Sequence, residues 1–507
     1  MEAKHKAGNY PTVSEVREEL KALTNIGFPI FGAGVMDYIK NMATVACMGR
    51  LGSAELAGGA LAIGFTNITG YSVLSGLASG IDPICSQAFG SNNSSLVNSI
   101  VRRSIVMLLL VSVLIGLLWI NAERILLLLC QDPEIARMAG LYCSYALPDL
   151  AANSFLHPLR VYLRSRGTTW PLMWCSSLVT SAHILLVIFL SFTLELGLSG
   201  VAMSAFIANF ISVFFLLIFL LLPHTDENAP LHLKTSLLSL EPRPVDPTPH
   251  VMEAWRTLLG LAITSCLGVC LEWWWYEFMT ISAGYLQNAR AALATAAIVI
   301  QTTSLLYTVP NALSASVSSR VGNELGAGRP AKARLATTVA ISLAIMASLL
   351  GLVATSLGRR TWGRVFTVDS DVLRLTTTVL PLIGLCELGN CPQTTGCGVL
   401  RGSARPCTGA SINLCSFYGV GAPVALFLAF TRKMGFQGLC YGLLAAQVVC
   451  AVSVLVAVYQ TDWEEESVRA MELVSSDAAA AVLCLPQRGR NTKSSDNNLI
   501  RSLRRWK

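Results

Sequence analysis

Twelve long apolar stretches, each near the length of a bilayer crossing, constrain this chain more than any other feature. A helix needs about 20 predominantly apolar residues to span a membrane. Inside lipid the helix is forced, because every backbone N–H and C=O must find its partner within the segment. The stretches fall near 22–46, 57–86, 99–121, 136–163, 169–192, 196–222, 254–281, 288–316, 333–357, 372–400, 407–430 and 434–459. Hydrophobic residues make up 53% of the chain and charged ones 13%, the balance of a polytopic membrane protein. The expected fold is all-α, with twelve transmembrane helices.

An even number of spans puts both termini on one side, and the distribution of Lys and Arg says which. With the N-terminus in the cytosol, about 26 Lys/Arg fall in cytoplasmic segments and about 10 in the opposite loops, with Lys40 inside the first span. Residues 1–21 are polar and lack a signal peptide, so the first span is expected to act as an uncleaved anchor. The net charge of +7 reads as topology and contact with anionic lipid rather than nucleic-acid binding. Many of the 15 cysteines lie in spans and behave as small hydrophobes. Neither a disulfide framework nor a metal site is expected from their spacing.

The chain repeats itself at an offset near 236. Gln87-Ala88-Phe89-Gly90 corresponds to Asn323-Glu324-Leu325-Gly326. Leu163-Arg164-Ser165-Arg166 corresponds to Leu400-Arg401-Gly402-Ser403, and Gly197-Leu198-Ser199-Gly200 to Gly435-Phe436-Gln437-Gly438. Three matches in register and in order imply two six-span halves of like orientation. The organisation is therefore a cytoplasmic segment 1–21, an N-lobe 22–222, a Pro-rich cytoplasmic linker 223–253, a C-lobe 254–459 and a basic cytoplasmic tail 460–507.

Span seven carries two acids beside three tryptophans, in the run Cys270-Leu271-Glu272-Trp273-Trp274-Trp275-Tyr276-Glu277. An acid at membrane depth costs roughly 2.5–3.5 kcal/mol on insertion scales and marks function by default. Glu272 and Tyr276 share a helical face, while Glu277 lies roughly 140° away. The two acids are expected to do different work.

These residues resemble the multidrug and toxic compound extrusion family, and its plant DETOXIFICATION branch in particular. The resemblance rests on Gly49-Arg50-Leu51-Gly52 with Glu55-Leu56-Ala57, and on Ser75-Gly76-Leu77-Ala78-Ser79-Gly80 running into Gln87-Ala88-Phe89-Gly90. It rests further on Pro310 with Ser319-Arg320-Val321-Gly322-Asn323-Glu324-Leu325-Gly326-Ala327-Gly328, on Cys270–Trp274, and on Gly398-Val399-Leu400-Arg401-Gly402. It covers residues 20 to 460. It implies two six-helix lobes in a V, a central cavity, and ion-driven antiport of organic solutes. Many relatives carry an acid three residues beyond Glu387, where this chain has Asn390. Glu387 lies nearly one turn earlier and is the candidate replacement.

Proton coupling is accordingly assigned to Glu272, Glu387 and Glu277, with Glu272 as carrier and Glu277 as carrier or helix-joining strut. A carboxyl stripped of water favours its neutral form, so such a group can take a proton from an acidic compartment and release it to the cytosol. Trp273, Tyr276, Asn390, Asn67, Tyr71, Gln301 and Tyr307 are candidates for the substrate cavity. Asp37 and Lys40, three apart, suit an ion pair in the N-lobe. His183 is read as hydrogen-bonded structure, and Pro310 and Pro392 as hinges. The coupling ion is H+, no other cofactor is expected, and the partners are a small organic solute, protons and lipid around a monomer. Cationic or neutral aromatic cargo suits acids beside aromatics; an organic anion would want more positive charge than Lys40 supplies. A lipid-headgroup flippase and a membrane scaffold or sensor with decayed transport are the rival readings, and an enzyme is not expected. The membrane is an endomembrane (Golgi, late endosome or vacuole) or the plasma membrane.

Overall fold

In a computed structural model, which describes residues 11–222 and 249–483, twelve long helices form two lobes. The N-lobe holds α1 (Val13–Leu51), α2 (Ala54–Gly90), α3 (Ser94–Ile120), α4 (Pro133–Ser165), α5 (Trp170–Thr193) and α6 (Gly197–Leu221). The C-lobe holds α7 (Ala254–Gly284), α8 (Ala289–Gly326), α9 (Pro330–Val365), α10 (Ser370–Gly402), α11 (Pro406–Thr431) and α12 (Phe436–Tyr459). Among the described residues, ten of these helices are long and apolar enough to cross a membrane by composition. The two that fall short are α1 and α4. They carry Asp37 and Lys40, and Asp149, His157, Arg160 and Arg164, so their polar load is turned inward, where other helices satisfy it.

The repeat is written into the turns as well as the motifs. Backbone in the left-handed region occurs at Asn92 and Gly328, at Gly167 and Ala404, and at Glu195 and Lys433, each pair at equivalent positions of the two halves. A π-helical turn ends α5 at Phe189–Thr193 and α11 at Phe427–Thr431, with the near-identical sequences FLSFT and FLAFT. Residues 1–10, most of the linker 223–253, and residues 484–507 lie outside the described residues.

Both lobes meet at the membrane end where α2, α4, α8 and α10 finish, here termed the latch end. Two amides cross the seam reciprocally. Gln87 Nε2 donates to the Gly402 carbonyl at 3.1 Å, and its repeat counterpart Asn323 donates through Nδ2 to the Ser165 carbonyl, also at 3.1 Å. Only glycine fits between them: a Cβ on Gly90 would overlap the Asn323 carbonyl, and one on Gly326 the Gln87 carbonyl. Ion pairs surround this contact. Asp82 binds Arg164 at 2.7 Å and faces Arg401, the repeat counterpart of Arg164, at 3.7 Å. Glu19 of α1 takes Arg320 of α8 through both carboxylate oxygens at 2.8–2.9 Å.

The polar tail expected from residue 460 onward begins instead as a helix, α13 (Trp463–Leu483). It lies across the latch end against α2 and α3 of one lobe and α8 and α9 of the other. Ala470 enters the C-lobe core, and Val474 joins the core at the latch end of the N-lobe. Ser467 donates to the Leu325 carbonyl, and Arg405 donates to Thr461 and pairs with Glu466. Hydropathy misses this helix because Glu464, Glu465 and Glu472 make its outer face acidic; its docking face decides its place.

Candidate functional site

Span seven distributes its aromatic run over the whole circumference of α7, as three consecutive side chains must. Trp275 is fully buried among Phe278, Phe417 and Tyr418. Trp274 reaches across the seam, donating from Nε1 to the Ile68 carbonyl of α2 at 3.3 Å. Trp273 and Glu272 turn into a pocket of about 540 Å³, counting the space at its open mouth. Tyr307 of α8, Thr394, Cys397 and Arg401 of α10, Asn413 of α11 and Ser79 of the opposite lobe complete its wall. Its wall mixes a carboxylate, a guanidinium, hydroxyls, an amide and aromatic rings, the kind of polar variety that orients a bound organic molecule.

Arg401 is the charged member of this wall that the sequence analysis did not assign to the site. Its guanidinium lies within electrostatic reach of Glu272, donates to Ser314 Oγ at 3.2 Å and faces Asp82 at 3.7 Å. One cation thus stands between the pocket acid and the latch acid. The expectation that Lys40 is the main intramembrane positive charge is corrected by this placement. In the sequence Arg401 stood out as part of the repeat match Leu400-Arg401-Gly402-Ser403 and of the motif Gly398–Gly402, with no role in the site.

Glu387 sits behind this wall, 3% exposed, with its carboxylate accepting from Asn390 Nδ2 at 3.0 Å. Asn390 in turn accepts from Thr394 at 3.3 Å. Asn390, expected in the substrate cavity, lies behind this wall, bonded to Glu387 and to the wall residue Thr394. Tyr276 packs against the C-lobe core, close to both Glu272 and Glu387. Glu277 faces α2, its oxygens 3.9 Å from where a Cβ on Gly64 would stand. It makes no hydrogen bond or ion pair among the described residues, so a strut role finds no partner there. Asn67 and Gln301 are half-buried and outside this pocket's wall, and Pro310 and Pro392 are buried inside unbroken helices.

The N-lobe holds a second polar cluster. Asp37 and Lys40 pair at 3.7 Å, and Arg160 of α4 approaches Asp37 at 3.6 Å. Lys40 Nζ donates to Asn209 Oδ1 at 3.3 Å, and Asn209 Nδ2 donates to Asp149 Oδ1 at 2.7 Å. Asp149 also accepts from Tyr71 Oη at 2.7 Å and from Asn153 Nδ2 at 3.0 Å. Tyr71, expected in the substrate cavity, instead points into the N-lobe and packs edge-on against Trp119. His183 is buried between Thr44 Oγ1 at 3.0 Å and the Ser204 carbonyl at 3.3 Å. Asp149 went unnoticed in the sequence.

The family model MatE matches residues 29–189 and again 265–427, once in each lobe. This chain belongs to the MatE family, the multidrug and toxic compound extrusion transporters. It is 56% identical over 471 residues to the Arabidopsis thaliana protein DETOXIFICATION 55, covering 92% of this chain and 93% of that protein. To DETOXIFICATION 48 of the same organism it is 45% identical, covering 94% and 87%. Among solved structures it is similar to the eukaryotic MATE transporter AtDTX14, with a TM-score of 0.83, 29% identity, and coverage of 91% of this chain and all of that one. The Vibrio cholerae MATE transporter VcmN, at 16% identity and a TM-score of 0.77, shares the fold. As a MATE protein the chain is an integral membrane transporter of small molecules and not an enzyme.

Proposed function

We propose that this MATE transporter is a proton-driven antiporter that moves small organic solutes out of the cytosol by alternating access. The observation that carries this reading is Glu272, an acid in the wall of the pocket between the lobes, with Trp273 and Tyr307 beside it and Glu387 behind. Proton and solute compete for one carboxylate, so binding of either expels the other. The aromatic wall offers a flat apolar surface, and the carboxylate attracts a cationic or hydrogen-bonding group. The excess of Lys and Arg on segments of the latch end supports a cytosolic orientation for that end.

Arg401 supplies the link between pocket and latch. When Glu272 is ionised it competes with Asp82 for this guanidinium; when Glu272 is protonated Arg401 is left to Asp82. Proton uptake at the pocket thereby tightens the seam, and proton release loosens it. The guanidinium also favours a second class of cargo, amphoteric molecules that pair a carboxylate with an aromatic ring. The test is solute-stimulated proton flux in proteoliposomes, over a panel of aromatic cations, neutral aromatics and aromatic acids. Flux stimulated by one of these classes, and abolished by Glu272→Gln at normal levels of inserted protein, is the expected result. Unchanged flux in that variant overturns the assignment of carrier, and movement of headgroup-labelled lipid without proton flux overturns antiport itself.

A further inference from the structure

The repeat that aligns the lobes also aligns their polar interiors. At the offset of the second helix of each half, Tyr71 falls on Tyr307. At the slightly longer offset of the fourth helix, Asn153 falls on Asn390, and at that of the sixth, Asn209 falls on Gln447. In the C-lobe, Asn390 donates to the carboxylate of Glu387, one turn earlier. In the N-lobe, Asn153 donates to the carboxylate of Asp149, one turn earlier. The two acids sit one position apart in the repeat, and the longer side chain of Glu387 offsets the difference.

We propose that Asp149 is a further proton-accepting carboxyl of this transporter, the N-lobe counterpart of Glu387. Its surroundings separate it from the structural acids of the chain. Asp82, Glu19 and Glu324 each lie against an arginine at 2.7–2.8 Å. Asp149 is equally buried, at 2% exposure, yet has no cation within 4 Å among the described residues. Its partners are three neutral donors, and the nearest positive charge, Lys40, is held one amide away on Asn209. A carboxyl so placed can hold or lose a proton without breaking a permanent ion pair.

The other ionisable groups facing it are few. They are Lys40 from α1, Tyr71 from α2, and Tyr142 and Cys143 from its own helix. Further out stands the Asp37–Arg160 pair, and His183 of α5 is turned to Thr44. Helix α6 contains no titratable side chain, and α3 has only Arg102 and Arg103, in its first turns at the latch end. The helices that meet at Asp149 are also built to shift. Tyr71 closes the π-helical turn Asn67–Tyr71, and Pro148 precedes Asp149 within α4, both features that loosen the regular ladder. A change of charge at Asp149 acts on α1, α2, α4 and α6 together.

The inference rests on proton antiport, and its test separates the two. Infrared difference spectra of the full-length protein in lipid nanodiscs, recorded across a pH step, report carboxyl C=O bands directly. Asp149→Asn should remove one band that Glu272→Gln and Glu387→Gln retain, and should lower the number of protons moved per solute in proteoliposomes. Spectra and proton stoichiometry identical to wild type in Asp149→Asn overturn the proposal. Should that variant fail to fold, Tyr71→Phe removes one donor only and should displace both the band and the midpoint of its titration; an unmoved band overturns the proposal equally. A band lost with Asp149, in a protein whose wild type moves no protons, supports the carboxyl and sinks the transport reading alone.

Discussion

Among individual residues, the hydrogen bonds separate acids that matter to structure from those that matter to transport. Among the described residues Glu277 has no hydrogen-bond or ion-pair partner to lose, so Glu277→Gln should not lower stability; a thermal melt of the purified protein checks this. Glu387 is different, because Asn390 is committed to it at 3.0 Å. Glu387→Gln should weaken proton-driven flux per folded molecule, and Asn390→Asp in that background should restore part of it. Equal flux in wild type and Glu387→Gln would show that α10 takes no part in coupling. Glu272 was legible in the sequence because it interrupts an otherwise apolar span. Asp149 was not, because α4 is crowded with polar residues and prolines, among which one more acid carries no signal. What sets it apart is contact with Tyr71 and Asn209, 78 and 60 positions distant, and only the register of the repeat could have hinted at that meeting. Arg401 was hidden for the opposite reason: a basic residue at a span end already had an explanation.

At the scale of elements, the latch depends on glycines rather than on hydrogen-bond strength. Each crossing amide contributes about 0.5–1.5 kcal/mol net, so Gln87→Ala or Asn323→Ala alone should loosen the seam only modestly. Gly326→Val is expected to be far more severe, because its side chain would occupy the place of the Gln87 carbonyl. The lobes could then not close at this end, and paramagnetic labels on the turns after α4 and α10 should report a longer distance. An unchanged distance would mean that the backbone shifts to accept the side chain. The twelve spans and the two-fold repeat were readable because both are matters of local composition. The seam was not, since its partners lie as far apart as Gln87 and Gly402 and meet only through the packing of whole helices.

For the whole molecule, helix α13 is, among the described residues, the element outside the membrane spans that touches both lobes at the latch end. Burial raises the proton affinity of Glu466 above that of an ordinary glutamate, while Arg405 and Arg469 work against this. A raised value in the docked state means that docking is favoured at acidic pH and is weakened as pH rises through the docked-state value. Hydrogen exchange of residues 463–475 should therefore slow on mild acidification, and Glu466→Gln should flatten that dependence. Removing residues 463–507 should shift the lobes toward the state with the latch open, read as a longer label distance across the seam. Ala470 and Val474 are four residues apart on one rigid helix, yet their side chains belong to different halves of the machine. Each turnover must therefore shear one anchor or the other. Helix α13 then works as a tally of the cycle, baring Val474 once per round to any hydrophobic dye or protease within reach.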